Sequence, residues 1–165
     1  MIYPNEISPK YAIFTTCREF AVKILKQCVA QHNGIPSQIR LGQNEIVAYM
    51  QDGTIYKWVR PYDNARGYKC SAAIVDLATC GYDFCNEWVR AICLFAEDAD
   101  FKFVDSEHQN DEPYNLDSLI DRLKKIQVIL YNPKVYFKDY EECTNPVTGI
   151  NVEDNNLIFS SNGIG

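Results

Sequence analysis

Residues 11–34 read YAIFTTCREFAVKILKQCVAQHNG, and they contain the clearest structural pattern of the chain. Its first five residues form a short apolar run that is typical of a buried strand. Thr16 and Glu19 then match the capping box of a helix start, and apolar residues recur after them at helical spacing. Asn33 and Gly34 match the left-handed ending of a helix. The stretch therefore predicts a strand that leads directly into an amphipathic helix.

The segment that follows predicts a β-hairpin and a central strand. Two strand-like runs, 45–50 and 54–60, flank a turn at Asp52-Gly53, and such a dipeptide supplies the positive φ angles that tight hairpins require. Residues 72–75 are apolar without alternation, which is typical of a strand covered on both faces. These runs place the centre of a sheet in the first half of the chain.

Two further helices are predicted towards the C-terminus. One begins at Tyr82 or Asp83, and Trp58 and Trp88 are expected to pack in the core. The next is capped by Asn115, and its apolar residues are expected to form one buried face: Leu116, Leu119, Ile120, Leu123, Ile126 and Leu130. Strands are predicted at 101–104 and 134–140, with an exposed polar loop at 105–114.

Together these elements predict an α/β fold. We expect a single compact domain over residues 1–140, in which a mixed sheet with a β-hairpin is flanked by about three helices. Residues 141–165 are rich in Asn and Gly and are predicted to form an irregular C-terminal segment.

The composition predicts a cytoplasmic protein. No apolar run approaches the roughly 18 residues that span a bilayer, and residues 1–11 lack the pattern of a signal peptide. Seven cysteines, an odd number without a CxxC pair, favour a reducing compartment over a disulfide-linked secreted domain. The two histidines lie too far apart to complete a zinc site with them, so we expect neither metal nor other cofactor.

Charge is divided unevenly along the chain. Residues 1–96 hold ten Lys/Arg and eight Asp/Glu, a net +2, whereas residues 97–165 hold six and fourteen, a net −8. An acidic region repels a phosphate backbone, which disfavours direct nucleic-acid binding, and it suits a protein partner with a basic surface. The alternative is a solvated acidic face without a partner. The candidate partner-binding acids are Glu97, Asp98, Asp100, Asp105, Glu107, Asp111 and Glu112.

The order of motifs resembles the middle of the ATPase domain of phage large terminases, the DNA-packaging motors. The matching segments lie within residues 11–95, about half the chain, and are Phe14-Thr15-Thr16, Gln51-Asp52-Gly53-Thr54-Ile55, Ala65-Arg66-Gly67 and Ala73-Ile74-Val75-Asp76. The resemblance implies that the last of these corresponds to the Walker B strand. Asp76 would then be the residue that binds Mg²⁺ in such a motor.

The departures from the terminase pattern argue against nucleotide hydrolysis. The sequence has no G-x-x-x-x-G-K-[ST] motif to hold phosphates, and too few residues precede the first strand to supply one. Leu77 stands where the Walker B glutamate is expected. Asp76 is therefore expected to cap the end of a central strand, with Mg²⁺ binding as the alternative. Arg66 either contacts a phosphate or an acidic partner, or is solvated in a turn made by Gly67.

These observations lead to three functional hypotheses. The first is a non-catalytic, phage- or mobile-element-encoded binding protein that uses its acidic surface to inhibit a host defence nuclease, as anti-CRISPR proteins do. The second is an accessory subunit of a DNA-packaging ATPase whose phosphate-binding loop is supplied by another chain. The third is an enzyme of an unrecognised class, which would need a cleft with converging polar groups; a cysteine hydrolase is disfavoured because no nucleophile motif accompanies any cysteine. We predict no catalytic residue.

Overall fold

The computed structural model describes most of the chain up to Leu130 and four strands beyond it. The described residues are 9–62, 65, 67–93, 100–109 and 113–130, together with the backbone of strands in 136–138, 144–146, 149–153 and 156–160. The chain divides into two units, Met1–Ile129 and Leu130–Gly165.

The first unit is built on a six-stranded mixed sheet. Its strands are β1 (Lys10–Phe14), β2 (Pro36–Leu41), β3 (Ile46–Met50), β4 (Ile55–Val59), β5 (Ala72–Asp76) and β6 (Asp100–Val104). They lie in the order β2-β3-β4-β1-β5-β6, and β4, β1, β5 and β6 are parallel. β2, β3 and β4 are joined by antiparallel pairings. The predicted α/β class, mixed sheet and hairpin are therefore confirmed.

Four helices flank this sheet in the described part of the chain. They are α1 (Arg18–Gln31), α2 (Tyr82–Glu87), α3 (Val89–Ile92) and α4 (Leu116–Leu130). The predicted second helix is divided at Trp88, which separates α2 from α3. α1 packs on one face of the sheet, whereas α2, α3 and Ile129 of α4 pack on the other. β5 is buried throughout because both of its faces are covered.

The strand–helix unit forms as predicted, but both ends of α1 differ from the expectation. Cys17 is the N-cap and makes no side-chain capping bond, so the capping box of Thr16 and Glu19 is wrong. At the other end, His32 leaves the helix in an extended conformation with φ −73° and ψ 132°, so the left-handed ending at Gly34 is also wrong. The hairpin turn does use a left-handed glycine, since Gly53 has φ 89°.

The orientation of α4 corrects the predicted buried face. Asn115 caps the helix as expected, through a 2.9 Å bond from the Ser118 amide to Asn115 Oδ1. The buried residues of α4, however, are Arg122, Lys125 and Ile129. Four residues of the predicted face are exposed instead, by 36–56%: Leu116, Ile120, Leu123 and Leu130. The helix is turned this way because polar partners for its two buried cations lie on the sheet side.

The second unit contains four short strands: β7 (Tyr136–Lys138), β8 (Thr144–Pro146), β9 (Gly149–Glu153) and β10 (Asn156–Ser160). β7 pairs with β8, and β9 with β10, as two separate antiparallel pairs. The predicted strand at 134–140 is therefore present in part as β7, although it lies outside the six-stranded sheet. Three strands fall within residues 141–165, which we expected to be irregular.

Among the described residues, no helix combines the length and the apolar character that a bilayer requires.

Candidate functional site

The candidate site lies where β1 and β5 end side by side. The strands β2, β3 and β4 lie on one side of β1 in the sheet, and the chain then crosses to β5 on the other side of β1. In open α/β sheets, such a switch point at the carboxyl ends of parallel strands is the usual position of a ligand crevice. Thr15 follows β1, Asp76 ends β5, and both side chains are completely buried.

Four donors hold the carboxylate of Asp76. Its Oδ2 accepts hydrogen bonds from the hydroxyls of Thr15, at 2.7 Å, and Thr79, at 2.8 Å. Its Oδ1 accepts bonds from the backbone amides of Ala78, at 3.2 Å, and Ser106, at 3.0 Å. An ionised carboxylate offers about four lone-pair sites. The carboxylate of Asp76 is therefore fully satisfied by groups of its own chain.

The two threonine hydroxyls also fix the start of α1. Thr15 Oγ1 accepts the Cys17 amide at 3.1 Å, and Thr79 Oγ1 accepts the Thr16 amide at 3.1 Å. Each hydroxyl thus donates to Asp76 and accepts from the backbone that leads into the helix. These bonds replace the capping box that the sequence suggested. We call Thr15, Asp76 and Thr79 the Asp76 cluster.

The geometry of the Asp76 cluster suits a structural role. A carboxylate that binds Mg²⁺ must present a lone pair to the ion, whereas both oxygens of Asp76 are occupied and the residue has no exposed surface. Leu77 is buried, and its amide bonds the carbonyl of Val104 on the next strand. Lys125 of α4 donates a hydrogen bond to the Leu77 carbonyl at 2.8 Å, so α4 also covers this end of β5.

A second acidic residue, Asp105, follows the neighbouring strand β6. Its side chain is 6% exposed and accepts a 2.9 Å bond from Arg122 Nε. Burial alone would raise the pKa of Asp105, but its bonds to Arg122, the Tyr114 hydroxyl and the Glu107 amide outweigh burial and lower it. Asp105 is therefore an internal ion-pair partner, and the predicted exposed loop begins with a buried side chain.

Arg122 joins two further carboxylates to Asp105. Its Nη2 lies 2.8 Å from Glu107, and its Nη1 lies 2.8 Å from Asp121. Burial would lower the pKa of Arg122, but the hydrogen bonds to its acidic partners raise it. We call Asp105, Glu107, Asp121 and Arg122 the Arg122 cluster. Part of the predicted acidic surface is thus used to hold α4 against the sheet.

The other predicted partner-binding residues are distributed as follows. Asp100 is exposed at the start of β6, with its carboxylate 3.8 Å from Lys102 Nζ. Glu107 is 65% exposed on its side chain, although it bonds Arg122. Five residues lie outside the described residues: Arg66, Glu97, Asp98, Asp111 and Glu112. The structure therefore brings Asp105 and Glu107 together on Arg122, while Asp100 lies apart from this cluster.

A basic cavity opens beside the candidate site, at the end of β4. It has a volume of about 390 Å³, and Lys57, Trp58, Arg60 and Tyr68 contribute to its lining. Arg60 lies over the Trp58 ring with its Cζ 4.8 Å from the ring centroid, and Lys57 Nζ lies 5.8 Å from the centroid of Tyr68. Trp58 itself is buried, as predicted. This cavity gives the first unit a local basic surface within an acidic chain.

A second polar group, which the sequence did not predict, lies at the opposite end of the parallel strands, where β1 and β4 begin. His32 Nε2 lies 2.8 Å from Asp52 Oδ2, and His32 Nδ1 lies 2.9 Å from the Tyr56 hydroxyl. These three residues line a cavity of about 340 Å³, and so does Cys28, one helical turn before His32. Burial raises the pKa of the Cys28 thiol, and both nitrogens of the histidine are already bonded. The group therefore lacks the thiolate and free imidazole that a cysteine hydrolase needs.

Cys70 and Cys93 were not expected to be close. Their Sγ atoms lie 3.5 Å apart in the core, beside a bridge between the two backbones. This pair was not predicted because 22 residues separate the two cysteines along the chain. In the part of the chain that the structure covers, no group of Cys, His, Asp or Glu has the arrangement of a metal site.

Comparison with known proteins gave no match. No protein-family model, curated protein or solved structure is significantly similar to this chain. The resemblance to terminases therefore stays a prediction from the motifs quoted above.

Proposed function

We propose that this chain is a non-catalytic protein that acts by binding a partner. The observation that carries the proposal is the carboxylate of Asp76, which is buried and accepts four internal hydrogen bonds. At the switch point of the sheet, a metal-binding or water-activating acid would need a free lone pair. Here the polar groups of the crevice bind one another.

The partner that we propose is a protein with a basic surface. Support comes from the net charge of −8 over residues 97–165 and from the exposed carboxylates of Asp100 and Glu107. Acidic surfaces accelerate association with basic partners and make it sensitive to salt. The nucleic-acid-binding surface of a nuclease is basic. An inhibitor of a host defence nuclease, similar to an anti-CRISPR protein and acting in the host cytoplasm, would use such a surface.

The structure shows which of the candidate acids should be spared in a test of this proposal. Asp105 should be spared, because its buried bond to Arg122 holds α4 and its loss would destabilise the fold. The test variant replaces Asp100, which is exposed, together with Glu97, Asp98 and Asp111 by their amides. A matched control makes the same change at four acids among residues 1–96: the exposed Glu19, Asp83 and Glu87 and the half-buried Glu45.

The experiment measures capture of nucleases from host lysate at low and high salt, followed by DNA cleavage assays with the captured nuclease. We expect the wild-type chain to inhibit cleavage, the test variant to lose about tenfold in affinity, and the control variant to keep it. Equal inhibition by all three chains, or affinity that does not depend on salt, would contradict the electrostatic proposal. Adding excess nuclease should overcome the inhibition, whereas adding excess DNA should not. This result would exclude inhibition by direct binding of the chain to the DNA substrate.

The second candidate is an accessory subunit of a DNA-packaging ATPase. Its support is the basic cavity lined by Lys57 and Arg60 beside the switch point, where a nucleotide carried by another chain could dock. This candidate predicts co-purification with a protein that carries a phosphate-binding loop, and ATP hydrolysis only after the two are mixed. Unchanged hydrolysis on mixing would remove it.

A further inference from the structure

Helix α4 packs against the sheet through a face that contains two charged residues and one apolar residue. The side chains of Arg122, Lys125 and Ile129 are buried. The cations find partners there, since Arg122 bonds Asp105 and Lys125 bonds the Leu77 carbonyl. Because these residues take the inner face of the helix, the apolar residues on the opposite face point away from the sheet.

The outer face of α4 has the spacing of a coiled-coil seam. Leu116, Ile120 and Leu123 are exposed by 56%, 40% and 43%. Their positions differ by four and then by three, and Gln127 and Leu130 continue this alternation of four and three. This is a heptad pattern with Leu at the d positions and Ile or Gln at the a positions, and a mainly apolar seam of this kind can bind a second helix. We call Leu116, Ile120 and Leu123 the α4 seam.

We propose that the α4 seam binds the α4 seam of a second copy of this chain, with the two helices antiparallel. Residues that flank a seam decide which partner fits, and in an antiparallel pair the e positions of the two helices face each other. The e positions of α4 are Asp117 and Lys124, which are both exposed. A second copy related by a two-fold axis therefore pairs Asp117 with Lys124 twice.

The other flank supports the same orientation. The g positions of α4 are Leu119 and Ile126, and both are half-buried. In the antiparallel pair they face each other and extend the apolar contact. A parallel pair would instead place Lys124 beside Leu119, and it would leave Asp117 without an opposite charge. Neither Asp117 nor Lys124 has an ion-pair partner among the described residues.

The first test is the mass of the full chain in solution, measured by sedimentation equilibrium over a range from micromolar to submillimolar concentration. We expect a reversible monomer–dimer equilibrium, because a seam of two heptads is short. Leu123→Asp should abolish the dimer. Its far-ultraviolet circular dichroism should match the wild type, since the side chain of Leu123 is exposed in the monomer.

Charge reversal tests the orientation. Asp117→Lys and Lys124→Glu should each weaken self-association by about tenfold, because each places like charges opposite each other twice. Mixing the two single variants should restore a dimer of wild-type affinity, since opposite charges then face each other at both pairs. The double variant should also recover. Lys26→Glu, an exposed reversal on α1, is the control and should leave the equilibrium unchanged.

Three results would overturn the proposal. One is a wild-type chain that remains monomeric over the whole concentration range. The second is a dimer that Leu123→Asp leaves intact. The third is a pair of single charge reversals that dimerise alone as well as they do when mixed, which would exclude the antiparallel arrangement.

Discussion

Two aspartates close neighbouring parallel strands of this protein in different ways. Asp76, at the end of β5, is held only by hydroxyl and amide hydrogens. Asp105, directly after β6, is held by the guanidinium of Arg122 together with the Tyr114 hydroxyl and two amides. Both side chains are almost or completely buried. One carboxylate fixes the start of α1, and the other fixes α4.

The comparison shows that an acid at the carboxyl edge of a parallel sheet need not be a ligand-binding group. What decides its role is the number of donors that its own chain supplies. Both aspartates have enough donors within the chain to satisfy their oxygens without a metal or a substrate. Among the predicted partner-binding acids of the described part of the chain, those that remain available to a partner are therefore the exposed Asp100 and Glu107.

The largest expected effect follows from removing the carboxylate of Asp76. Asp76→Ala leaves the Ala78 and Ser106 amides without an acceptor in a buried site, and we expect it to lower the free energy of unfolding by about 3 kcal/mol. Asp76→Asn keeps one oxygen for these amides and lets the two threonine hydroxyls turn, so it should cost about 1 kcal/mol. Urea denaturation measures both. Equal losses for the two variants would show that the charge, rather than the hydrogen bonds, stabilises the site.

The next effect concerns Arg122 and depends on pH. Arg122→Gln should lower the free energy of unfolding by about 2 kcal/mol at pH 7, because Asp105 loses its cation in a buried site. The pKa of Asp105 is lowered in the folded protein, so this stabilisation is complete above the unfolded value of about 4 and is lost as the pH falls further. The difference between variant and wild type should therefore shrink below about pH 4. A difference that stays constant down to pH 2 would contradict the ion-pair account.

The smallest effect sharpens the description of the Asp76 cluster. Thr79→Val removes one of the four donors to Asp76 and the acceptor of the Thr16 amide, while it keeps the shape of the side chain. We expect a loss of about 1 kcal/mol. Hydrogen exchange should be faster at the Thr16 amide and unchanged at Ile24, in the middle of α1. Unchanged exchange at Thr16 would mean that its amide has another acceptor.

The sequence was sufficient to predict the elements whose pattern is local. The hairpin at Asp52-Gly53 and the buried strand β5 were predicted because turn chemistry and apolar continuity depend only on neighbouring residues. The strand β2 was not predicted, because its residues are mostly exposed and lack an apolar alternation. A strand of this kind is defined by its pairing with β3, which the sequence does not show.

The orientation of α4 and the composition of the candidate site could not be predicted in the same way. Periodicity identified an apolar stripe on α4, but the helix is turned by Arg122 and Lys125, whose partners Asp105 and Leu77 are distant in sequence. Asp76 was correctly expected at the end of a central strand. The role of Thr79 became visible only in the structure, although an aspartate followed three residues later by a threonine is a local signal for such a bond.

Exposure of the purified chain to Mg²⁺ and ATP tests whether Asp76 takes part in nucleotide chemistry. Because the carboxylate of Asp76 is fully engaged within the chain, we expect no release of phosphate and no shift of the melting temperature at millimolar nucleotide. Phosphate release that Asp76→Asn abolishes, in a variant whose melting curve shows that it is folded, would contradict this expectation.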